Sequence, residues 1–148
     1  MHHVAIMKKS WKLIPKILSG EKTIESRWYA NRVRPWNFVT AEDSVYLKNS
    51  GEQIIALAKV SDIIQFSELT PEKVAWILKK YGKEIGIPKE SIPKFYERFK
   101  DKKYCILVFL KDAKPIKPFH IDKTGFGLMS AWISVIDISK IRCNSATK

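Results

Sequence analysis

The sequence predicts an α+β domain: a mostly antiparallel sheet curled into a β-barrel, with a short N-terminal helix and a two-helix insertion. Two observations predict it. Segments rich in β-branched and aromatic residues lie on either side of one long helical stretch, while helical periodicity is confined to residues 13–18 and 70–99. Strands therefore come in runs, whereas a doubly wound parallel sheet needs strands and helices to alternate. With 148 residues, no internal repeat and no Gly/Ser linker, residues 1–143 read as a single domain and the polar residues 144–148 as a frayed tail.

The elements follow from local chemistry. Val4 to Met7 is a short apolar run suited to a first strand. Leu13, Ile14, Ile17 and Leu18 recur at helical spacing, Pro15 is tolerated only in a first turn, and Gly20 supplies the stop. Thr23 to Trp28 alternates, with Ile24, Ser26 and Trp28 on one face and Thr23, Glu25 and Arg27 on the other. Ser44–Leu47 and Gln53–Val60 flank Asn49-Ser50-Gly51 and read as a hairpin. Thr70-Pro71-Glu72 is a helix start, followed by a buried stripe of Val74, Ile77, Leu78 and Tyr81, with Gly82 as the expected end. A second short helix opening near Ser91 and Pro93 buries Ile92, Phe95, Tyr96 and Phe99. Tyr104–Leu110, Ile116–Ile121 and Ala131–Ile138 return to strand composition.

Charge narrows the partners. The formal net charge is +12, and residues 1–40 carry eight Lys or Arg against two Glu, whereas residues 41–70 carry two Lys against five acids. Such asymmetry marks a basic face that suits a polyanion, so nucleic acid leads the expected partners. A Lys-rich composition of the kind that heat-adapted proteins carry is the other source of such charge. No apolar run reaches the length of a membrane span and no signal peptide opens the chain, so no membrane partner and a cytoplasmic location are expected. Cys105 and Cys143 form neither a C-x-x-C pair nor a cluster with the three histidines, so neither zinc nor a disulfide is expected, and no motif implies a cofactor. His120 has no Ser, Cys or Asp arrangement around it, and Gly125-Phe126-Gly127 lacks the glycine pattern of a phosphate loop.

The chemistry-bearing segment is Gly20 to Arg27, of the form G-x-K-x-x-E-x-R. Lys22 supplies a point charge, Arg27 a planar fork for phosphate or a base edge, and Glu25 lies on the same strand face as Arg27. Either these residues contact a ligand or Glu25 and Arg27 form a structural ion pair. Trp28, Tyr29 and Trp36 interleave with Arg27, Arg32 and Arg34, a combination that stacks bases while neutralising phosphates. Trp28 and Trp36 fit a barrel core equally well. Lys48 and Asn49 sit at the hairpin tip, within reach of a ligand's polar edge or as an ordinary turn.

On the opening strand and helix, Gly20 to Trp28, the Val45 to Gly51 strand and turn, and the closing Gly125 to Val135 segment, the sequence resembles the ASCH (activating signal cointegrator homology) family of the PUA-like superfold. The resemblance implies a small barrel with a cleft between barrel and helix, lined by the motif, and binding of RNA or a modified nucleoside at Lys22, Glu25, Arg27, Trp28, Arg32, Arg34, Trp36, Lys48 and Asn49. One branch of that family hydrolyses N4-acylated cytidine with the motif lysine, a threonine and a glutamate. By that likeness Lys22 is the nucleophile or base, and Glu25, standing where that branch has threonine, either acts as a base or pairs with Lys22 and suppresses it. Some ASCH proteins are ribonucleases, but no His pair or carboxylate cluster here argues for phosphodiester cleavage. A protein-interaction role is implied by the family name and by the exposed helical insertion.

Overall fold

The computed structural model describes residues 1–127 and 130–144. Its strands are β1 (His2–Met7), β2 (Ile24–Tyr29), β3 (Ser44–Asn49), β4 (Ile54–Phe66), β5 (Tyr104–Ile121), β6 (Trp132–Val135) and β7 (Arg142–Cys143). Its helices are α1 (Leu13–Ser19), α2 (Pro71–Ile85) and α3 (Ile92–Phe99). The sheet runs in the order β2-β5-β4-β3-β1-β6, with β7 on β5. All these pairs are antiparallel except β1 with β3.

This is the mixed α+β architecture that the composition predicts, with the barrel curled but open along one side. β2 and β6 end the strand path and do not pair with one another. The side chain of Arg27 crosses between them: Nη1 donates to the Ala131 carbonyl at 3.2 Å and Nη2 to the Ile6 carbonyl at 3.4 Å. Curvature comes from β4 and β5, whose pairing shifts register at three places. Each shift is a bulge or irregularity in the ladder, and bulges bend a strand and increase its twist.

Those bulges explain one correction. Residues 104–110 and 116–121 read as two strands, yet β5 runs unbroken for 18 residues. The polar link stays in the sheet because Lys111, Lys114 and Pro115 pair with Lys59, Leu57 and Ala56 of β4. A second correction concerns α2, which passes through Gly82 and ends at Gly86, a residue with φ of 93°. Gly82 is a packing residue instead: a Cβ there would meet Ile92 Cδ1 at 3.4 Å, so its bare backbone admits α3. At the start of α2 the expected cap is present, with the Thr70 hydroxyl accepting the Lys73 N–H at 3.2 Å. Towards the C-terminus, β6 stops at Val135, and Ile138–Lys140 forms a 3-10 turn capped by the Asp137 carboxylate.

Alternation along each strand divides the apolar side chains. Ala5, Met7, Val45, Leu47, Ala58, Val108 and Trp132 fill the barrel. Ile24, Trp28, Cys105 and Leu107, from the opposite face, pack against Val74, Ile77, Leu78 and Ile85 of α2. The apolar stripe of α3 is only half-buried and none of its residues is fully enclosed. Among the described residues, no helix is long and apolar enough to cross a membrane. Apart from Asn144, the tail expected at 144–148 lies outside the described residues.

Gly86 couples helix termination to the motif. A Cβ at this left-handed position would approach the Lys22 side chain to 3.3 Å. Gly86→Ala is therefore expected to lower unfolding free energy by at least about 1–2 kcal/mol, the cost of the left-handed backbone alone, as measured by urea unfolding.

Candidate functional site

The Gly20 to Arg27 motif is built where α1 turns into β2. Gly20 caps α1 with φ of 84° and its N–H reaches the Ile17 carbonyl. The Lys22 N–H then bonds the Lys16 carbonyl at 2.9 Å and the Thr23 N–H bonds the Glu84 carbonyl at 2.8 Å, so the chain enters the sheet tied to both α1 and α2. This anchoring turns Lys22 inward.

Lys22 is 2% exposed, and its Nζ donates to the carbonyls of Ile24 and Ile85, both at 2.6 Å, with Glu25 Oε1 at 3.2 Å. Glu25, 4% exposed, holds Arg27 Nη2 at 3.1 Å with its other oxygen. The three residues thus form a buried cation–anion–cation chain. Burial alone would raise the Glu25 carboxyl, but the charges and hydrogen bonds of Lys22 and Arg27 outweigh it and hold it below the usual carboxylate range. Burial pulls the Lys22 ammonium down, against the opposing pull of Glu25. Arg27 spends three of its five N–H donors on Glu25 and the two carbonyls, and its buried Nε–H has no partner among the described residues.

The open side of the barrel is a cavity of about 770 Å3. Its walls are Glu25 to Tyr29 of β2, Ile6 and Met7 of β1, Ser130 to Ser134 leading into β6, and Phe99 of α3. A second cavity of about 300 Å3 lies between the motif and the helices, lined by Lys16, Lys22, Lys94 and Phe95. Trp11, Leu13, Glu25, Ser26 and Phe99 border both.

The structure gathers some of the sequence-predicted residues and disperses others. Glu25, Arg27, Trp28 and Arg34 line the larger cavity and Lys22 the smaller. Trp28 is buried, its Nε1–H bonded to Ser26 Oγ, and Phe99 covers one indole face in a parallel stack with centroids 4.6 Å apart. Arg32 lies over the Tyr104 ring and Arg34 over Phe38, at 5.6 and 3.9 Å. Trp36 packs edge-on against Tyr104 and onto the barrel core. Lys48 is buried, Asn49 donates to Glu52, and neither lines these two cavities.

One constellation escaped the sequence reading. His3, fully buried on β1, has Nδ1 2.8 Å from Ser134 Oγ and Nε2 2.8 Å from Asp43 Oδ2. Trp132 Nε1 donates to the same Nδ1 at 3.2 Å. Burial lowers the His3 pKa despite Asp43, so the ring is neutral near pH 7. Asp43 lies below the usual carboxylate range, because bonds from His3 and Thr40 outweigh the upward push of burial. These residues stand 40 and 131 positions apart from His3, and no local pattern marks them. Only the pairing of β1 with both β3 and β6 brings them together.

No family model and no curated protein matches the chain. Among solved structures, the ASCH protein from Zymomonas mobilis superposes with a TM-score of 0.65 at 16% identity, covering 97% of this chain and 96% of that one. A tyrosine variant and a serine variant of the same protein give TM-scores of 0.66 and 0.64, each at 17% identity over 94% of this chain. The chain therefore has the ASCH fold over nearly its whole length.

The coupled burial of Glu25 has a measurable consequence. Because its folded value lies below the ordinary 4.5, its stabilising contribution is present above that pH and is lost as pH falls through the folded value. Glu25→Gln should lower stability by about 3–5 kcal/mol near neutral pH, as expected for breaking a buried ion pair. That deficit should narrow as urea unfolding is repeated from about pH 7 down to about pH 3.

Proposed function

We propose that this ASCH-fold domain binds RNA, or a single modified nucleoside, in the cavity along the open side of the barrel. The observation that carries the reading is Arg27: a guanidinium on the cavity wall, held by Glu25 and two backbone carbonyls through three of its five N–H donors. A fixed fork with a free donor suits a phosphate oxygen or a base edge. The volume of about 770 Å3 falls within the range of small-molecule sites. Aromatic rings on its walls, the exposed Arg34 at its rim and the net charge of +12 all favour an anionic, stackable ligand.

In this reading the three motif charges divide their roles. Lys22 fixes Glu25, Glu25 orients Arg27, and Arg27 meets the ligand. A second reading, hydrolysis of N4-acylated cytidine by Lys22, draws on the burial that lowers the lysine's pKa. Against it, two carbonyls and a carboxylate already engage the protonated Nζ, which leaves no lone pair for attack on a carbonyl carbon.

Two measurements test this. RNA affinity should fall linearly in log–log form with salt, and Arg34→Ala should flatten the slope by about 0.7, the value of one phosphate contact on a single strand. Loss of Arg27 should weaken binding, whether of RNA or nucleoside; unchanged affinity in Arg27→Ala would remove the proposal's basis. On the same samples wild type is expected to leave N4-acetylcytidine and intact RNA uncleaved, and turnover that vanished with Lys22→Ala would replace the binding reading with the hydrolase.

A further inference from the structure

We propose that Ser134 is the nucleophile of an acyl-transfer centre on the cavity wall, with His3 as its general base and Asp43 as the residue that positions the imidazole. The proposal goes beyond ligand binding by the motif and needs no nucleic acid, so either can fail alone.

The hydrogen-bond directions follow from donor inventory. An indole N–H only donates, so the Trp132 bond to His3 Nδ1 requires a lone pair on that nitrogen. The neutral ring then carries its proton on Nε2 and donates to Asp43, whose carboxylate also accepts from the Thr40 N–H at 3.0 Å and the Thr40 hydroxyl at 3.2 Å. The Ser134 hydroxyl, 2.8 Å from Nδ1, is left as a donor to the same lone pair. Its proton points at the base, as a serine nucleophile requires.

Placement agrees with that polarity. His3 and Ser134 sit directly opposite each other in the β1–β6 register, so two paired strands hold base and nucleophile together. His3 has no exposed surface, whereas Ser134 borders the cavity of about 770 Å3. Arg27 lines the same cavity, lies 5.4 Å from the Trp132 ring and engages three of its five N–H donors among the described residues, so it is the donor at hand for a developing oxyanion. Trp132 and Met7 give an apolar wall suited to a small uncharged acyl group.

The substrate class is a short-chain carboxylic ester. Ser134 Oγ bonds to the carbonyl carbon as its proton passes to His3 Nδ1 and the carbonyl electron pair moves onto oxygen. Collapse of this intermediate breaks the bond to the alkoxy group, which leaves as an alcohol carrying the proton from Nδ1. Water then attacks the acyl-serine, yields its proton to Nδ1, and releases the carboxylic acid as Ser134 regains its hydrogen.

The direct test is reaction of the intact wild-type chain with a fluorophosphonate probe, followed by peptide mapping. One adduct per chain on Ser134 is expected; no adduct on Ser134 in the folded protein would overturn the proposal whatever the variants do. Ser134→Ala should lose the adduct with an unchanged circular dichroism spectrum. Asp43→Asn should slow labelling by at least about tenfold. It should also move the midpoint of the labelling pH profile down, because His3 then keeps only its unfavourable neighbours, the Met1 amino group and His2. Equal rates and an unmoved midpoint would show that Asp43 does not position the base. Slow hydrolysis of p-nitrophenyl acetate that follows the same variants would supply the turnover readout.

Discussion

The rest of the molecule is arranged around one buried chain of charges. Lys22, Glu25 and Arg27 carry a net positive charge into the protein interior, and such a group is stable there only if nearly every donor and acceptor is met. Lys22 satisfies the requirement with the end of α2, through the Ile85 carbonyl, and with the start of its own strand. Arg27 satisfies it across the open side of the barrel, on the carbonyls of Ile6 and Ala131. A single carboxylate thereby fastens the helical insertion to β2 and β2 to the far edge of the sheet. The buried Nε–H of Arg27, without a partner among the described residues, is the place where this satisfaction is incomplete.

Openness of the barrel follows from the same arrangement. Were β2 and β6 paired by backbone hydrogen bonds, no cavity could lie between them. A side-chain bridge spans a wider gap than a ladder, whose strands lie about 4.8 Å apart. Phe99 of α3 lines the cavity there. The half-buried stripe of α3 meets Trp28 through Phe99, and its neighbour Phe95 meets Trp11 edge-on at 6.1 Å. Aromatic surface here is thus partly structural: rings that read as stacking platforms are already stacked on one another.

Much of the frame was legible. Strands in runs, a proline in the first turn of α1, the Thr70 cap and the alternation of β2 all act through near neighbours, and local chemistry decides them. The motif was legible too, since Lys22, Glu25 and Arg27 lie within six residues and their spacing puts Glu25 and Arg27 on one face. What local chemistry could not supply was direction relative to the rest of the fold. Lys22 reads as a cation offered to a ligand, yet it is tied to Ile85, 63 positions away. Gly82 reads as a stop because glycine ends many helices, but an apolar stripe that continues to Ile85 and the arrival of Ile92 make it an interior contact.

The sequence by itself determined the element order, the fold class, the basic first third and the polar face of β2, because each rests on composition or on spacings of two to four residues. Tertiary structure alone decided that the barrel stays open along β2 and β6 and that His3, Asp43 and Ser134 meet. Strand pairing is the physical reason. The parallel β1–β3 ladder and the antiparallel β1–β6 ladder set residues from opposite ends of the chain within hydrogen-bond distance, and no periodicity along one strand encodes which strands will lie beside it.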